Sequence, residues 1–353
     1  MSAPLSYLIY LGTYTRSTSK GIYAVRLDAS TGALSEPTLV AEAANPTWLV
    51  LSPDRKFLYA THASQTQAIG FAVDPATAKL TRMAASPASE ANSSSHLAVD
   101  ATGRVLLSAN YADGYVSSIP IRPDGTLGPP THLQHTGHSV NPKRQDKPHA
   151  HSVTLSPDNR FVIVCDLGLD KIFSYALDPL AAKLTPAHPP FVATDSGSGP
   201  RHFKFGADGR HGYAINEMGG TIAAYDYDAL RGALSPIQTI STLPADFTGE
   251  KWNAEIRVHP NGRFLYGSNR THDSLAVFAV APATGRLTLV EIVPSGGKIP
   301  RNFALSPDGL WLVCAHQDSD NLAVFRIDPS TGRLTPTVHS AKVPMCVCVL
   351  FYH

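Results

Sequence analysis

Apolar and polar residues alternate along most of this chain in short runs, each cut by a cluster of Pro, Asp, Gly, Asn or Ser. One two-run phrase recurs: LVLSPDRKFLYA (49–60), LAVDATGRVLLSA (97–109), VTLSPDNRFVIV (153–164), FKFGADGRHGYAI (203–215), IRVHPNGRFLYGS (256–268) and FALSPDGLWLVCA (303–315). Each predicts two strands around a tight turn, because the turn residues supply preset or positive φ. A third alternating run follows, as in AIGFAV (68–73), KIFSYAL (171–177) and LAVFRI (322–327). Next comes a second turn phrase, DASTGAL (28–34), DPATAKL (74–80), IRPDGTL (121–127), DPLAAKL (178–184), DALRGAL (228–234), APATGRL (281–287) and DPSTGRL (328–334), whose last leucine opens a fourth strand. Those leucines stand at 34, 80, 127, 184, 234, 287 and 334, 46 to 57 residues apart. Seven such units, here termed blades with strands a to d, predict an all-β, seven-bladed β-propeller forming one domain over 1–353. No stretch of helical length carries a 3.6-residue period.

The two-run phrase occurs six times but the third run seven. The chain opens on YLIYLGTYT (7–15) and GIYAVRL (21–27), which fit strands b and c, and closes on an apolar strand, MCVCVLF (345–351), with no partner after it. The last strand is therefore expected to become strand a of the first blade and close the ring, leaving no inner edge exposed. The longest step holds an insert, GPPTHLQHTGHSVNPKRQDKP (128–148), which reads as a long loop over one face. Its Lys143, Arg144 and Lys147 read first as a solvated basic stretch, with help in recruiting an anion as the alternative.

Composition narrows the function more than the fold. Lys plus Arg is 29 against 28 for Asp plus Glu, so no long-range field favours nucleic acid or an anionic membrane. The opening MSAPLSYLIYLGTY lacks a basic start, and its apolar run breaks at Gly12 and Thr13, as a strand does and a signal peptide does not. Cys165, Cys314, Cys346 and Cys348 form no CxxC pair and suit buried thiols in a reducing compartment, so a cytoplasmic protein is expected.

Strand b runs antiparallel beside the inner strand a, so the start of a and the end of b share one mouth of the ring. Trp48, His96, His149, His151, Arg201, His202, Glu255, Arg257, Arg301 and Asn302 stand at starts of a. Tyr14, His62, Asn110, Asp166, Asn216, Glu217, Asn269, Arg270, His316 and Gln317 stand at ends of b. So many polar groups converging on one mouth are costly unless hydrated or used. Asp54, Asp158 and Asp308, and likewise Asp28, Asp74, Asp178 and Asp328, belong to turns and read as structural. There is no GxSxG phrase and no glycine-rich phosphate loop. The mouth carries more Arg and His than carboxylates, so neither metal nor cofactor is expected.

The phrases PHAHSVTLSPDNRF, DLGLDKIFSY, GSGPRHFKF, GYAINE, AEIRVHPNGRFLYGSNR and PRNFALSPDG resemble the bacterial 6-phosphogluconolactonase family, which also includes fungal carboxymuconate cyclases. The resemblance covers essentially the whole chain. It implies a seven-bladed propeller with a site on the central channel face, built from His149 or His151, Arg201, Glu217 and Arg270. Arg301 and Glu255 are candidates by position, and Asn110 and Asp166 join them as substrate-binding candidates at the mouth. The chain departs from the pattern at HLAVDATG, at NEMGG and at the closing CVCVLFYH. A lactonase needs an activated water, oxyanion stabilisation and an anchor for the substrate's anion. His or Glu217 could be the base, and Arg201, Arg270 and Arg301 the anion and oxyanion groups. The expected partner is a small anionic lactone, foremost 6-phospho-D-glucono-1,5-lactone, with muconate-type lactones as the alternative. A non-catalytic propeller binding a protein would favour an apolar rim over a polar mouth. Oligomeric state is left open.

Overall fold

The computed structural model describes residues 6–62, 68–74, 76–85, 87, 91 and 93–353; the first five residues and Pro75 of the second turn phrase lie outside them. The strands form seven four-stranded antiparallel sheets arranged as propeller blades. Blade four shows the pattern, with strands a to d at Ala150–Leu155, Phe161–Asp166, Lys171–Asp178 and Lys183–Ala193. The one helical element among the described residues is a single 3₁₀ turn, Leu167–Leu169.

Ring closure follows the expected clasp. The C-terminal strand Cys346–Phe351 pairs antiparallel with Ser6–Thr13, placing Ile9 opposite Phe351 and Leu11 opposite Val349. Cys346, Val347, Cys348, Val349 and Phe351 are buried. First and last segments thus share one sheet, and the ring has no open seam.

The core lies between neighbouring blades. One cluster joins Ile9, Leu11 and Val25 of blade one to Trp311, Val313 and Leu322 of blade seven. Another joins Tyr266 and Val277 of blade six to Phe303 and Phe325 of blade seven. The inner strands are therefore covered on both faces, which explains the near-continuous burial of strands b such as Val105–Asn110 and Phe264–Asn269, whereas outer strands d such as Lys183–Ala193 are largely exposed.

The insert needs correction. Residues Thr131–Gln134 are strand d of blade three, so the loop proper is shorter than 128–148. It is also anchored: His135 Nδ1 lies 2.6 Å from Asp166 Oδ2, Gln145 Nε2 donates to the Leu167 carbonyl at 2.9 Å, and Ser139 Oγ donates to Asp170 at 2.6 Å. Among the described residues, no helix is long and apolar enough to cross a membrane.

Candidate active site

The inner strands share one irregularity at the mouth. Pairing between a and b slips between Ser94 and His96, Ala150 and Ser152, Pro200 and His202, Asn253 and Ile256, and Pro300 and Asn302, and opposite Gly12 and Thr13 in the clasp. A bulge of this kind leaves a residue out of the ladder and re-aims its side chain. Ser95, His151, Arg201, Arg301 and Val347 fall at these slips, and all line a cavity of ≈ 550 Å³ at the channel mouth.

The second set of lining residues comes from the position just after strand b. There a backbone N–H donates to the residue preceding strand a: Tyr14 to Met345, Tyr111 to Ser93, Glu217 to Gly199, and Arg270 to Trp252. Tyr14, Tyr111, Glu217 and Arg270 all line the cavity. The residue before each, the last of strand b, instead ties down the b–c turn. Asn110 Nδ2 donates to Tyr115 O, Asn216 Nδ2 to Thr221 Oγ1, and Asn269 Nδ2 to Ser274 Oγ.

Charge in the cavity is organised around Glu217. Its Oε1 accepts from Arg144 Nη2 at 2.5 Å, and its Oε2 faces Arg201 Nε at 3.0 Å and Arg270 Nη2 at 2.7 Å. Burial opposes its ionisation, but Arg270, Arg201 and their neighbours outweigh it and hold the carboxyl well below the usual range. Burial, with Arg270 and Arg301 nearby, lowers the Arg201 pKa to about 9, which still leaves the guanidinium charged at neutral pH. Arg144 comes from the insert, and its guanidinium sits 6.0 Å from the Trp252 ring centroid. Arg301 and Arg16 have no carboxylate partner among the described residues; both lie over the Tyr14 ring, at 5.5 and 4.0 Å. Five arginines around one carboxylate, among the described lining residues, leave the cavity cationic. That donor set attracts an anion and repels a metal ion.

His151 is the cavity's candidate base. Its ring lies 5.2 Å from that of His202 and 5.5 Å from Tyr111, and its Nδ1 is buried without a hydrogen-bond partner. Burial, then the Arg201 charge, push its pKa well below the ordinary 6.5, so the imidazole is neutral at pH 7.

The sequence profile of the "Lactonase, 7-bladed beta-propeller" family matches residues 8–351. The chain belongs to this lactonase family. It is 35% identical to a 6-phosphogluconolactonase of Bacillus subtilis over 98% of this chain and 99% of that protein. A 6-phosphogluconolactonase of Serratia proteamaculans is 33% identical over 72% of each chain. Among solved structures, the periplasmic gluconolactonase of Pseudomonas aeruginosa superposes with a TM-score of 0.93 at 34% identity, covering 99% of both chains.

In this lactonase, the mouth brings together His151, Arg201, Glu217, Arg270 and Arg301 of the expected residues. Four others are placed elsewhere. His149 stacks on Tyr111 outside the cavity lining, with its Nδ1 2.7 Å from the Tyr111 carbonyl. Asn110 serves the b–c turn, and Asp166 caps the 3₁₀ turn while accepting from the His149 N–H and facing His135. Glu255 is fully buried outside the cavity lining, against His202, Asn302 and Arg257. Arg144, taken from sequence as solvated, reaches the cavity, as do Tyr111, Trp252 and Arg16. The recurrence of Asn at the end of strand b was the available signal: it marks a repeated structural position, and the variable residue after it is the one that faces the mouth.

Proposed function

We propose that this protein hydrolyses a sugar-acid lactone, with 6-phospho-D-glucono-1,5-lactone as its preferred substrate and 6-phosphogluconate, an intermediate of the pentose phosphate route, as product. The observation that carries the reading is a cationic cavity in which Arg301 and Arg16 lack a carboxylate partner while a neutral His151 stands beside them. Family membership and the names of the B. subtilis and P. aeruginosa relatives support lactone chemistry.

In this reading His151 takes a proton from water as the water oxygen attacks the lactone carbonyl carbon. The carbonyl π electrons move onto oxygen, and Arg201 and Arg270 stabilise that oxyanion. Collapse re-forms the carbonyl and breaks the ring C–O bond, and the proton on His151 passes to the departing ring oxygen. Glu217 is not the base here: both of its carboxylate oxygens are occupied by arginines, and its three arginines make it their organiser. Arg301, with Arg16 at the rim, binds the phosphate through charge-assisted hydrogen bonds. A cytoplasmic setting belongs to the same proposal, supported by four free, buried cysteines.

The test is Arg301→Ala assayed on phosphorylated and unphosphorylated gluconolactone. Loss of one charged hydrogen-bonding partner predicts a KM for the phosphorylated lactone raised about 10- to 100-fold, with a much smaller effect on the other. Equal losses on both substrates would remove Arg301 as the phosphate anchor.

A further inference from the structure

At the wall of the cavity, three buried side chains from neighbouring blades stand in line with Arg201; His202 and Asn302 line the cavity and Glu255 lies between them. Arg201 Nη1 lies 3.1 Å from His202 Nε2, and the same nitrogen donates to the Ala254 carbonyl at 2.6 Å. His202 Nδ1 lies 3.3 Å from Glu255 Oε1. Glu255 Oε2 accepts from Asn302 Nδ2 at 2.5 Å, and Asn302 Oδ1 accepts from the Val349 N–H of the clasp strand at 2.8 Å. His202, Glu255 and Asn302 are each at most 2% exposed.

Donor and acceptor roles along this line are forced. A guanidinium can only donate, so His202 Nε2 must accept and carry no proton. The ring proton of the neutral imidazole then sits on Nδ1, 3.3 Å from the Glu255 carboxylate but outside hydrogen-bond geometry. Asn302 donates through its amide nitrogen because its oxygen is already committed to Val349. Glu255, held by Asn302 and by the Ile256 N–H, thus presents its charge to the protonated side of the ring, as when a carboxylate fixes the tautomer of a histidine that serves another group.

We propose that Glu255 and His202 are positioning residues that act through Arg201, fixing the tilt of its guanidinium toward the substrate and the developing oxyanion. This rests on the lactonase reading for its catalytic consequence but not for its geometry. Glu255 thereby acquires a role one step removed from the cavity.

Two measurements test it. Nitrogen-15 NMR of histidine-labelled protein is expected to show His202 protonated on Nδ1 and bare on Nε2; protonation on Nε2 overturns the proposal whatever the protein catalyses. The second is a double-mutant cycle on lactone turnover, read in parallel as affinity for 6-phosphogluconate, with Arg201→Lys and His202→Leu. His202→Leu is expected to lower kcat about 10- to 100-fold in wild type but less than about 3-fold beside Arg201→Lys, with KM changing less than kcat. His202→Gln, which keeps an acceptor toward Arg201, is expected to restore most of the loss and serves if the leucine variant does not fold. Equal losses from His202→Leu in both backgrounds overturn the relay alone. A wild type that neither turns over lactones nor binds the acid overturns the underlying reading, while the tautomer still judges the geometry.

Discussion

His151 shows how burial selects among chemically equal candidates. His149 and His151 are two residues apart, yet His149 spends its Nδ1 on the Tyr111 carbonyl while His151 faces the cavity. Burial and Arg201 keep His151 neutral, so its activity as a base is fully present at pH 6.5 and is lost only as pH falls through its depressed pKa. Catalysed hydrolysis of gluconolactone, corrected for the spontaneous reaction, is expected to be flat from pH 6.5 to 7.5 and to fall only below that window. An acid limb centred at or above pH 6.5 would argue against His151. His151→Gln is expected to lower kcat about 10²- to 10⁴-fold. His96 and His202 are likewise pushed well below 6.5, first by burial. An unfolded chain binds those protons and the folded one does not, so stability should decline as pH drops below 6.5. The sequence pointed to the His pair but could not separate its members, because strand alternation is broken by the bulge between Ala150 and Ser152. Arg144 was hidden for another reason: its partner Glu217 lies 73 positions away, and nothing local to the PKRQ segment marks that contact.

Among the elements, the c–d turns do more than reverse the chain. Gly332 sits at φ +73, and a Cβ there would lie 2.5 Å from Phe264 Cδ1 of the preceding blade. Gly232 stands in the same relation to Phe161 at 2.3 Å. The glycine of this turn phrase is thus needed both for its left-handed backbone and for close packing between blades. The Tyr266 hydroxyl adds a hydrogen bond to the Gly332 carbonyl at 3.0 Å, stitching the same two blades. Gly332→Ala is expected to destabilise by about 1–3 kcal/mol, read as a melting temperature lower by several degrees with kcat nearly unchanged. An unaltered melting temperature would contradict this packing role. The blades and the clasp were legible because turn residues punctuate them and leucines count them. Strand d of blade three, expected to open at Leu127, lies instead at Thr131–Gln134, inside what reads as the insert, because Pro129 and Pro130 precede it and the insert follows without a break in polarity.

Across the whole molecule, a net formal charge of only +1 coexists with a cavity lined by arginines. The propeller makes this possible: every blade delivers residues to a shared mouth, so residues far apart in sequence concentrate charge that the chain average conceals. The ring was readable from repetition, whereas the site had to be read from where repetition fails. The thiols fit the same division, since burial pushes Cys165 up to about 12 and leaves it inert rather than reactive. The central claim is that this mouth hydrolyses a phosphorylated sugar lactone. The most direct measurement follows hydrolysis of 6-phosphogluconolactone and of unphosphorylated gluconolactone by the wild-type protein, each against its spontaneous rate. The account predicts clear acceleration with a higher kcat/KM for the phosphorylated lactone, and a preference that weakens as ionic strength rises. Spontaneous rates unchanged by the protein on both lactones would contradict it.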